Sequence, residues 1–381
     1  MNIRNHNKIL ILTGSFGDGH RKVAEAISES FGFCSPGADI EVMDVIKRIN
    51  PNIHLIIHFI FMLMVKKLPF VYGVLYNATR DSHVAAFLPK IFLKIIGLPK
   101  IQNVIGDVQP SVVISTCPLS ATIVAYLKAR NMLTVPTYTV ITDHTDHGYW
   151  LSPQTDYYIV GSDYVKQSLI EMGVPESRIM VTGIPIRAEF SQRYNKKLVL
   201  SKYGVDSSLP TVMVMGGGEG MIGGLARVLK GNSLPVKLNV LIVCGHNDKL
   251  RKKLDKELRR SIHHVNVMGY VDHIAEIMAI SDLIITKPGG VTTSEAIAAH
   301  LPMLLYKPIP GQEVDNAEFL VRSGVALQAH NRKDLLDLLQ KAVGNPEELS
   351  HMKRNAKKFE YKWCPYALHL HSPRMFTKAN S

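Results

Sequence analysis

The chain has 381 residues, of which 46% are hydrophobic and 20% charged, and its formal net charge at pH 7 is +12. This length allows two domains, each with its own core, and the composition is typical of folded globular proteins and argues against extensive disorder. The four cysteines stand far apart without metal-ligand spacing, which predicts reduced thiols, no disulfides and no zinc. Residues 1–8 lack the features of a secretion signal, so we expect a cytoplasmic protein.

Short apolar runs alternate with helical patterns along the chain, as in βαβ units around a parallel sheet. One series occupies residues 8–187, and a second begins after a polar stretch. The predicted strands are Ile9–Leu12, Ser111–Ser115, Thr137–Ile141, Tyr157–Val160 and Ile179–Thr182, then Val212–Met215, Asn239–Val243, Val265–Met268, Leu283–Thr286 and Met303–Leu305. The sequence therefore predicts an α/β protein with two doubly wound domains facing a cleft: 1–187, a linker over 188–208, and 209–350.

Three glycine-rich segments follow predicted strands at points where a helix is expected to begin. They are Gly14–His20, Gly216–Gly220 and Lys287–Glu295. Glycine lets a backbone approach a ligand closely, and the free amides of a helix start attract negative charge, so such turns suit an oxygen-rich group such as a pyrophosphate. His20 stands at the first of these helix starts. A tight turn with an incidental surface histidine fits the first segment equally well.

Acidic and amide side chains lie close to the third glycine turn. Glu295 is about one turn into its helix, where a carboxylate can accept two hydrogen bonds from the vicinal hydroxyls of a ribose. A solvated glutamate favoured by the helix dipole is the structural alternative. Gln312, Glu313 and Asn316 occur together at another expected helix start. They suit the hydroxyls of a sugar, although a capping cluster would look similar.

Residues 47–100 are strongly basic, with eight Lys or Arg against one Asp, a charge of +7 by 8 minus 1. Lys66 and Lys67 follow Ile53–Val65, a mostly apolar stretch that is too short to cross about 30 Å of hydrocarbon. A helix on an anionic membrane surface is one interpretation, and a pair of core helices with a solvated basic face is the other. We expect no nucleic-acid binding, because no recognised module accompanies the charge.

The glycine turns, Thr182–Pro185 near the domain boundary and the segment that begins at Gln312 together resemble the glycosyltransferase-B fold, family 28. The resemblance is to the branch of the monogalactosyldiacylglycerol synthases and processive diacylglycerol glucosyltransferases. It implies two Rossmann-like domains and an inverting transfer of a hexose, glucose or galactose, from a UDP-sugar to diacylglycerol or a glycosyl-diacylglycerol. It also implies peripheral attachment to the inner face of the cell membrane, no tightly bound metal or cofactor, and a segment 351–381 that returns to the first domain.

For the donor, the resemblance implies that Glu295 binds the ribose and that the helix start at Gly289–Thr292 binds the diphosphate. Gln312, Glu313 and Asn316 would meet the hexose, and backbone groups of Val271 would receive the uracil. The donor-binding residues carried over are Gly17, Gly217, Gly218, Val271, Gly289, Gly290, Val291, Thr292, Glu295, Gln312, Glu313 and Asn316.

The base that accepts the hydroxyl proton has two candidates. His20 is the first, since a histidine near its unperturbed pKa suits proton transfer near neutrality, and Asp143 is the second. Asp143 belongs to a cluster of Asp and His residues after a predicted strand, which could bind a metal or form a turn. In the same cluster, His147 and Trp150 resemble a His-x-x-Trp stretch near the lipid acceptor of the galactolipid synthases.

Three other functions fit parts of this pattern. A UDP-sugar 2-epimerase shares the fold and the donor-binding segments but acts on a soluble substrate, and the basic apolar segment argues against it. A peptidoglycan-precursor UDP-N-acetylglucosamine transferase shares the glycine, Ser-Glu and Gln–Asn features. A noncatalytic, membrane-associated sensor of nucleotide-sugar is the third.

Overall fold

The computed structural model of the chain describes residues 8–14, 17–80, 98–217, 228–229, 234 and 236–359. Within them lie twelve strands and fourteen α-helices. The strands are β1 Lys8–Thr13, β2 Asp39–Asp44, β3 Val112–Ser115, β4 Thr137–Val140, β5 Tyr157–Val160, β6 Ile179–Val181, β7 Thr211–Met215, β8 Asn239–Val243, β9 His264–Met268, β10 Leu283–Thr286, β11 Met303–Tyr306 and β12 Ala326–Ala329. The helices are α1 Asp18–Cys34, α2 Val45–Ile49, α3 Pro51–Lys67, α4 Pro69–Ala78, α5 Leu98–Val108, α6 Pro118–Ala129, α7 Asp163–Glu171, α8 Lys196–Lys202, α9 Asp248–Leu258, α10 Ile274–Ile280, α11 Gly290–Ala298, α12 Gln312–Arg322, α13 Arg332–Gly344 and α14 Pro346–Lys357.

The chain divides into two compact units. The first takes the described residues up to Ala188 together with 310–312, and the second takes 189–309 and 313–359. The segment expected to be a linker, 188–208, contains helix α8 and belongs to the second unit from Glu189 onward. Of the expected C-terminal segment, residues 351–359 belong to the second unit and residues 360–381 lie outside the described residues.

The first unit is built on a six-stranded parallel sheet of order β2-β1-β3-β4-β5-β6. Strand β3 is buried throughout, as expected where crossover helices cover both faces of a parallel sheet. Strand β2 lies on one side of β1, whereas β3 and the strands that follow it lie on the other side. The switch point of this sheet therefore lies at the carboxyl ends of β1 and β3, the position where doubly wound sheets bind ligands.

The second unit repeats the architecture with the order β12-β11-β10-β7-β8-β9, again entirely parallel. Its switch point lies between β7 and β10, whose pairing runs from Leu283↔Val212 to Thr286↔Met215. The second and third glycine turns leave the sheet at these two strand ends. Each unit also has its own apolar core, with Leu10 and Ile123 fully buried in the first and Val212 and Leu339 in the second. The predicted class, two doubly wound α/β units, is confirmed.

Helices α3 and α4 belong to the first unit, and many of their apolar side chains are exposed. Asn50 caps α3, accepting hydrogen bonds from two backbone N–H groups, and Pro69 occupies the first turn of α4. Their axes differ by 110° at the break between them. In the part of the chain that the structure describes, no single helix has the length and apolar character to cross a membrane, and this pair meets that criterion only when both are counted together.

Candidate active site

The first glycine turn places His20 at the switch point of the first sheet. Gly17 has φ +98°, a conformation that other residues rarely adopt, and helix α1 begins directly after it. Thr116, at the end of β3, donates from Oγ1 to the carbonyl oxygen of His20 at 3.0 Å. The backbone of His20 is therefore fixed between the ends of the two strands that define the switch point.

The imidazole of His20 contacts the segment that follows β4. Its Nδ1 lies 3.1 Å from Thr142 Oγ1, and its ring meets Trp150 edge-on with 6.1 Å between centroids. The residue remains partly accessible, yet desolvation lowers the pKa of its imidazole to about 4, against a smaller opposing effect of the backbone near Thr116. The expectation of an unperturbed pKa was wrong, because the side chain packs into the sheet end instead of standing free at the surface.

The second candidate base, Asp143, lies beside the first. The hydroxyl of Thr142 donates to Asp143 Oδ2 at 3.3 Å, and Asp143 itself is half-buried. Two side chains that the sequence offered as alternatives are thus linked through one hydroxyl. Thr142, which is 3% exposed, was missed at the sequence level, since a threonine after a β-strand carries no signal of a distant partner.

His147 and Trp150, expected near a lipid acceptor, are core residues. His147 has no exposed surface; its Nδ1 accepts from the Tyr149 backbone N–H at 3.1 Å, and its Nε2 lies 2.7 Å from the Tyr76 carbonyl oxygen. The Nε2–H therefore donates to that carbonyl. Trp150 is 1% exposed and packs in a cluster with Tyr158. Both side chains are used in packing the first unit, and the expectation that they lie near a lipid acceptor stays a prediction.

The remaining members of the Asp/His cluster also form intramolecular contacts. Asp146 pairs with Arg80 at 2.6 Å. His144 is 3% exposed, and desolvation lowers the pKa of its imidazole to about 3. In the described part of the chain, no three His, Cys, Asp or Glu side chains are arranged to hold a metal ion.

The second switch point presents two turns built on glycine. Gly217, after β7, has φ +73°. After β10 the chain reaches Gly289, and α11 begins without a side-chain cap. The hydroxyls of Thr293 and Ser294 turn back onto the carbonyl of Gly290, at 3.1 and 2.7 Å. The first N–H groups of α11 therefore remain available for an anion.

Most of the described helices begin differently. The residues whose side chains cap a helix are Asp44, Asn50, Cys117, Ser162, Asn195, Asn247, Asn331 and Asn345. The helices at the two switch points, α1 and α11, instead follow Gly17 and Gly289, which have no side chain to satisfy the first amides. Helices α4 and α10 also lack a side-chain cap, but they follow Leu68 and His273. Helices α1 and α11, which begin after glycine, lie at the positions where doubly wound sheets bind ligands.

The other residues predicted to bind the donor lie in the first turns of α11 and just after β9. Val291 and Glu295 are buried, at 7% and 1% exposed, and Thr292 is half-buried. Val271 lies just beyond β9 and is half-buried, next to Tyr270, whose ring stacks on His246 with 4.4 Å between centroids. Gly218 lies outside the described residues.

Glu313 and Asn316 support the turn between β10 and α11. Lys287 Nζ lies 3.1 Å from Glu313 Oε1 in a pair with both residues below 10% exposure, and Glu313 Oε2 accepts from the Ile309 N–H at 2.7 Å. Asn316, with no exposed surface, donates from Nδ2 to the Pro288 carbonyl at 2.9 Å. We expected these two side chains to bind the hexose. In the structure their polar atoms instead hold the turn itself.

Gln312 groups with the first unit. The Tyr72 hydroxyl donates to its Oε1 at 2.7 Å. The neighbouring Gly311 has φ +109° and lies against the rings of Tyr72 and Tyr76, where an added Cβ would come within 3.1 Å of both. Lys66 and Lys67 are exposed at the end of α3. Neither the tyrosine partner of Gln312 nor the lysine partner of Glu313 could be found from spacing, because each contact joins distant parts of the sequence.

Comparison with known proteins gives matches in both units. A family model described as Monogalactosyldiacylglycerol (MGDG) synthase matches residues 20–186, and one described as Glycosyl transferases group 1 matches residues 227–359. Among curated proteins, the processive diacylglycerol beta-glucosyltransferase of Bacillus pumilus is 31% identical over 368 residues, covering 94% of this chain and 92% of that protein. The enzyme of the same description from Bacillus subtilis is 30% identical, covering 92% and 91%.

Solved structures show the same fold at low sequence identity. MurG of Acinetobacter baumannii aligns with a TM-score of 0.58 at 13% identity, covering 95% of this chain and 97% of that chain. The S. aureus MnaA–UDP co-structure aligns with a TM-score of 0.60 at 14% identity, covering 98% and 99%. These likenesses show the glycosyltransferase-B fold. With 31% identity over nearly all of its length, the chain belongs to the family of the processive diacylglycerol β-glucosyltransferases.

Proposed function

We propose that this protein is an inverting glycosyltransferase that moves glucose from UDP-glucose to diacylglycerol or a glucosyl-diacylglycerol at a membrane surface. The observation that carries the proposal is the identity of about a third with diacylglycerol β-glucosyltransferases over both units. The uncapped, glycine-started helices at both switch points support it, because each unit then has a place for an oxygen-rich ligand. UDP-galactose is the alternative donor.

The second unit would bind the donor. The diphosphate would accept hydrogen bonds from the first amides of α11, whose dipole contributes about 0.3 to 2 kcal/mol per charge, depending on burial. Glu295 would bind the ribose and Val271 the uracil. When the bond to the anomeric carbon breaks, the electron pair leaves with the UDP, and the same amides would stabilise the developing charge. This arrangement needs no tightly bound metal.

The first unit would supply the base. In the proposed reaction the acceptor hydroxyl attacks the anomeric carbon from the face opposite UDP, and its proton passes to His20. With a pKa of about 4 the imidazole is neutral at pH 7 and ready to accept, although desolvation makes it a weaker base than a free histidine. Asp143 remains the second candidate.

The α3–α4 surface would bind the membrane. We define it as the exposed apolar side chains of the two helices and of the residue between them: Leu55, Ile56, Phe59, Ile60, Leu63, Leu68, Phe70, Val71, Val74 and Leu75. Helix α3 has no fully buried residue, which disfavours the interpretation as a core helix. Lys66 and Lys67 lie beside this surface and would attract anionic lipid, as on the inner face of a cell membrane.

A lipid-extraction assay tests the proposal against its rivals. Purified protein would be incubated with UDP-sugars labelled in glucose, galactose or N-acetylglucosamine and with vesicles of diacylglycerol and anionic phospholipid. We expect label from UDP-glucose to enter the organic phase in a glycolipid. β-Glucosidase should release the labelled glucose from that lipid. Absence of lipid-soluble label from every donor would overturn the proposal, leaving the nucleotide-sugar sensor. Conversion of UDP-N-acetylglucosamine to its 2-epimer, or its transfer only to a peptidoglycan lipid precursor, would point to the two remaining enzymes.

A further inference from the structure

Helix α9 of the second unit presents a line of basic side chains to solvent. We call this line the α9 stripe; its members are Lys249, Lys252, Lys256 and Arg260, and all four are exposed. They follow one another at spacings of three, four and four residues, which places them on one face of a helix. Arg259 keeps helical dihedral angles, φ −55° and ψ −28°, so Arg260 continues that face beyond the last helical residue. With a rise of about 1.5 Å per residue, the stripe extends over about 16 Å.

The opposite face of α9 fixes the direction of the stripe. Leu254 and Leu258 are buried in the core of the second unit, and Leu250 packs against the same core. These leucines lie on the far side of the helix axis from the stripe, as in any amphipathic helix at a protein surface. The core contacts therefore hold α9 with its line of cations directed to solvent.

The acidic residues of α9 do not neutralise the stripe. Each of its three carboxylates pairs instead with a cation outside the stripe, in the pairs Arg251–Asp248, Lys253–Glu257 and Arg259–Asp255. In the part of the chain that the structure describes, no carboxylate lies within 4.0 Å of the charged groups of the stripe. Like charges three or four residues apart on a helix repel each other. The stripe therefore costs the helix some stability, and a partner that supplies negative charge would relieve this repulsion.

We propose that the α9 stripe is a second membrane-contact surface, in addition to the α3–α4 surface, and that it binds the headgroups of anionic phospholipids. The inference rests on the proposed function, in which the acceptor diacylglycerol lies in a membrane. An anionic leaflet presents negative charge over a plane, and a straight line of cations can meet such a plane along its whole length. Each Lys or Arg near the leaflet adds to binding, and its contribution falls off within a Debye length.

The chemistry of the stripe fits a diffuse anionic surface better than a nucleic acid. Three of its four cations are lysines, which are strongly hydrated point charges, whereas arginine predominates where a phosphate or a base edge is bound at two points. Helix α9 contains no aromatic residue, so unpaired bases would find no ring on which to stack. Its exposed residues also include no apolar side chain. The stripe would therefore bind lipid by charge alone, without insertion into the hydrocarbon.

Vesicle binding tests the stripe in the full-length protein. Lys252→Gln/Lys256→Gln removes two charges and keeps residue types that favour a helix. On vesicles of phosphatidylglycerol and phosphatidylcholine at low salt, we expect its partition coefficient to be about 10-fold below that of the wild type. On pure phosphatidylcholine the two proteins should bind equally. Lys196→Gln/Lys197→Gln, at two exposed lysines of α8 in the same unit, is the matched control and should bind as the wild type does. No loss in the stripe variant, or an equal loss in the control, would overturn the inference.

A nucleic acid is the other class of partner that such a stripe could attract. Fluorescent single-stranded and duplex oligonucleotides would be titrated with the wild type and with Lys252→Gln/Lys256→Gln at about 0.15 M salt. We expect no difference between the two proteins. Oligonucleotide binding that the variant loses, together with unchanged vesicle binding, would overturn the inference in favour of a nucleic acid.

Kinetics separate this inference from the proposed function. With diacylglycerol supplied in anionic vesicles, Lys252→Gln/Lys256→Gln should need about 10-fold more vesicle lipid for its half-maximal rate and should reach the same kcat. In uncharged detergent micelles the two proteins should transfer sugar at equal rates. An unchanged vesicle requirement in the variant would overturn the inference while leaving the glycosyltransferase in place. A wild type that transfers no sugar, yet binds anionic vesicles through the stripe, would overturn the proposed function alone.

Discussion

The imidazole of His147 donates from Nε2 to the carbonyl oxygen of Tyr76 at 2.7 Å and so joins the segment after β4 to helix α4. Its other nitrogen accepts the Tyr149 N–H, and its ring lies 4.2 Å from the Tyr76 ring, measured between centroids. Both ring nitrogens and one face of the imidazole are thus used within the first unit. Helix α4 carries part of the α3–α4 surface, so this histidine connects that surface to the sheet.

Replacing His147 is expected to affect stability first. His147→Ala leaves a cavity and removes the partner of the Tyr149 N–H, which should lower the free energy of unfolding by about 2 to 4 kcal/mol. Urea unfolding followed by circular dichroism would measure it. His330→Ala, at an exposed histidine between β12 and α13, is the control and should change stability by less than about 0.5 kcal/mol. Equal stabilities of the two variants would contradict the buried role of His147.

The buried pair of Lys287 and Glu313 predicts a coupled stability effect. Lys287→Met leaves the Glu313 carboxylate buried without its cation and should cost about 3 to 5 kcal/mol. The double variant Lys287→Met/Glu313→Gln should be less destabilised than the sum of the two single variants. Denaturant unfolding of the four proteins would give the coupling energy. If the stability losses of the two single variants add up to that of the double variant, the two side chains do not act as a pair.

Gly289 offers a substitution that separates binding from folding. Its backbone lies at φ −75°, and an added Cβ would meet no atom within 4 Å, so Gly289→Ala should fold with less than about 1 kcal/mol of destabilisation. The methyl group would nevertheless stand where a diphosphate approaches the helix start. We expect KM for UDP-glucose to rise about 10-fold, equivalent to about 1.4 kcal/mol. Gly344→Ala, equally open and at the end of α13, should leave KM unchanged.

Acid should destabilise the fold through the buried histidines. The folded-state pKa of His144 is lowered to about 3 by burial, while the unfolded chain titrates near 6.5. Between these values the unfolded state binds the extra proton, so this contribution to stability is complete above pH 6.5 and is lost as pH falls toward 3.

The size of this effect can be measured against a variant that cannot titrate. Between about pH 5.5 and 4, the wild type should lose stability faster than His144→Asn by about 1.4 kcal/mol per pH unit, the value for one proton. Both proteins carry the same carboxylates, so the difference isolates the histidine. Parallel pH profiles of the two proteins would show that His144 binds its proton equally in the folded and unfolded states.

The α3–α4 surface predicts how the protein binds vesicles. Phe59 and Phe70 are 67% and 79% exposed, and Phe59→Ser/Phe70→Ser should lower the partition coefficient to anionic vesicles at least about 10-fold through lost apolar burial. Lys66→Glu/Lys67→Glu should weaken binding and reduce its dependence on salt. Leu198→Ser, at a leucine 69% exposed in the second unit, is the control in a vesicle sedimentation assay. An equally large loss of vesicle binding in Leu198→Ser would contradict the assignment of membrane binding to the α3–α4 surface.

Most of the fold could be predicted from the sequence, because buried parallel strands appear as short apolar runs. The two missed strands, β2 and β12, both lie at an edge of their sheet. Strand β2 contains Asp39, Glu41 and Asp44 among its six residues and is only partly buried, so its sequence lacks the apolar run. An edge strand has a neighbour on one side only, and less of it needs to be apolar.

The site was predicted less completely, for a different physical reason. A glycine turn identified His20 and a cluster of Asp and His after a predicted strand identified Asp143, but their connection through Thr142 depends on how β1 and β4 are brought together. Glu313 was assigned to the sugar from its chemistry, whereas the tertiary structure pairs it with Lys287. Spacing along a chain reports on neighbours within one helix or strand. It does not report on partners that only the assembled sheet supplies.

The insertion of β10 beside β7 has a consequence for synthesis of the chain. Pairing Val212 with Leu283 closes a long segment, and such distant contacts form late in folding. A nascent chain that has emerged only as far as β9 exposes one edge of β7, with unpaired N–H and C=O groups that other chains can bind. Truncations that end before β10 should therefore aggregate, and those that end after β12 should remain dispersed, because the strand that leads into the Gly289 turn also covers this edge.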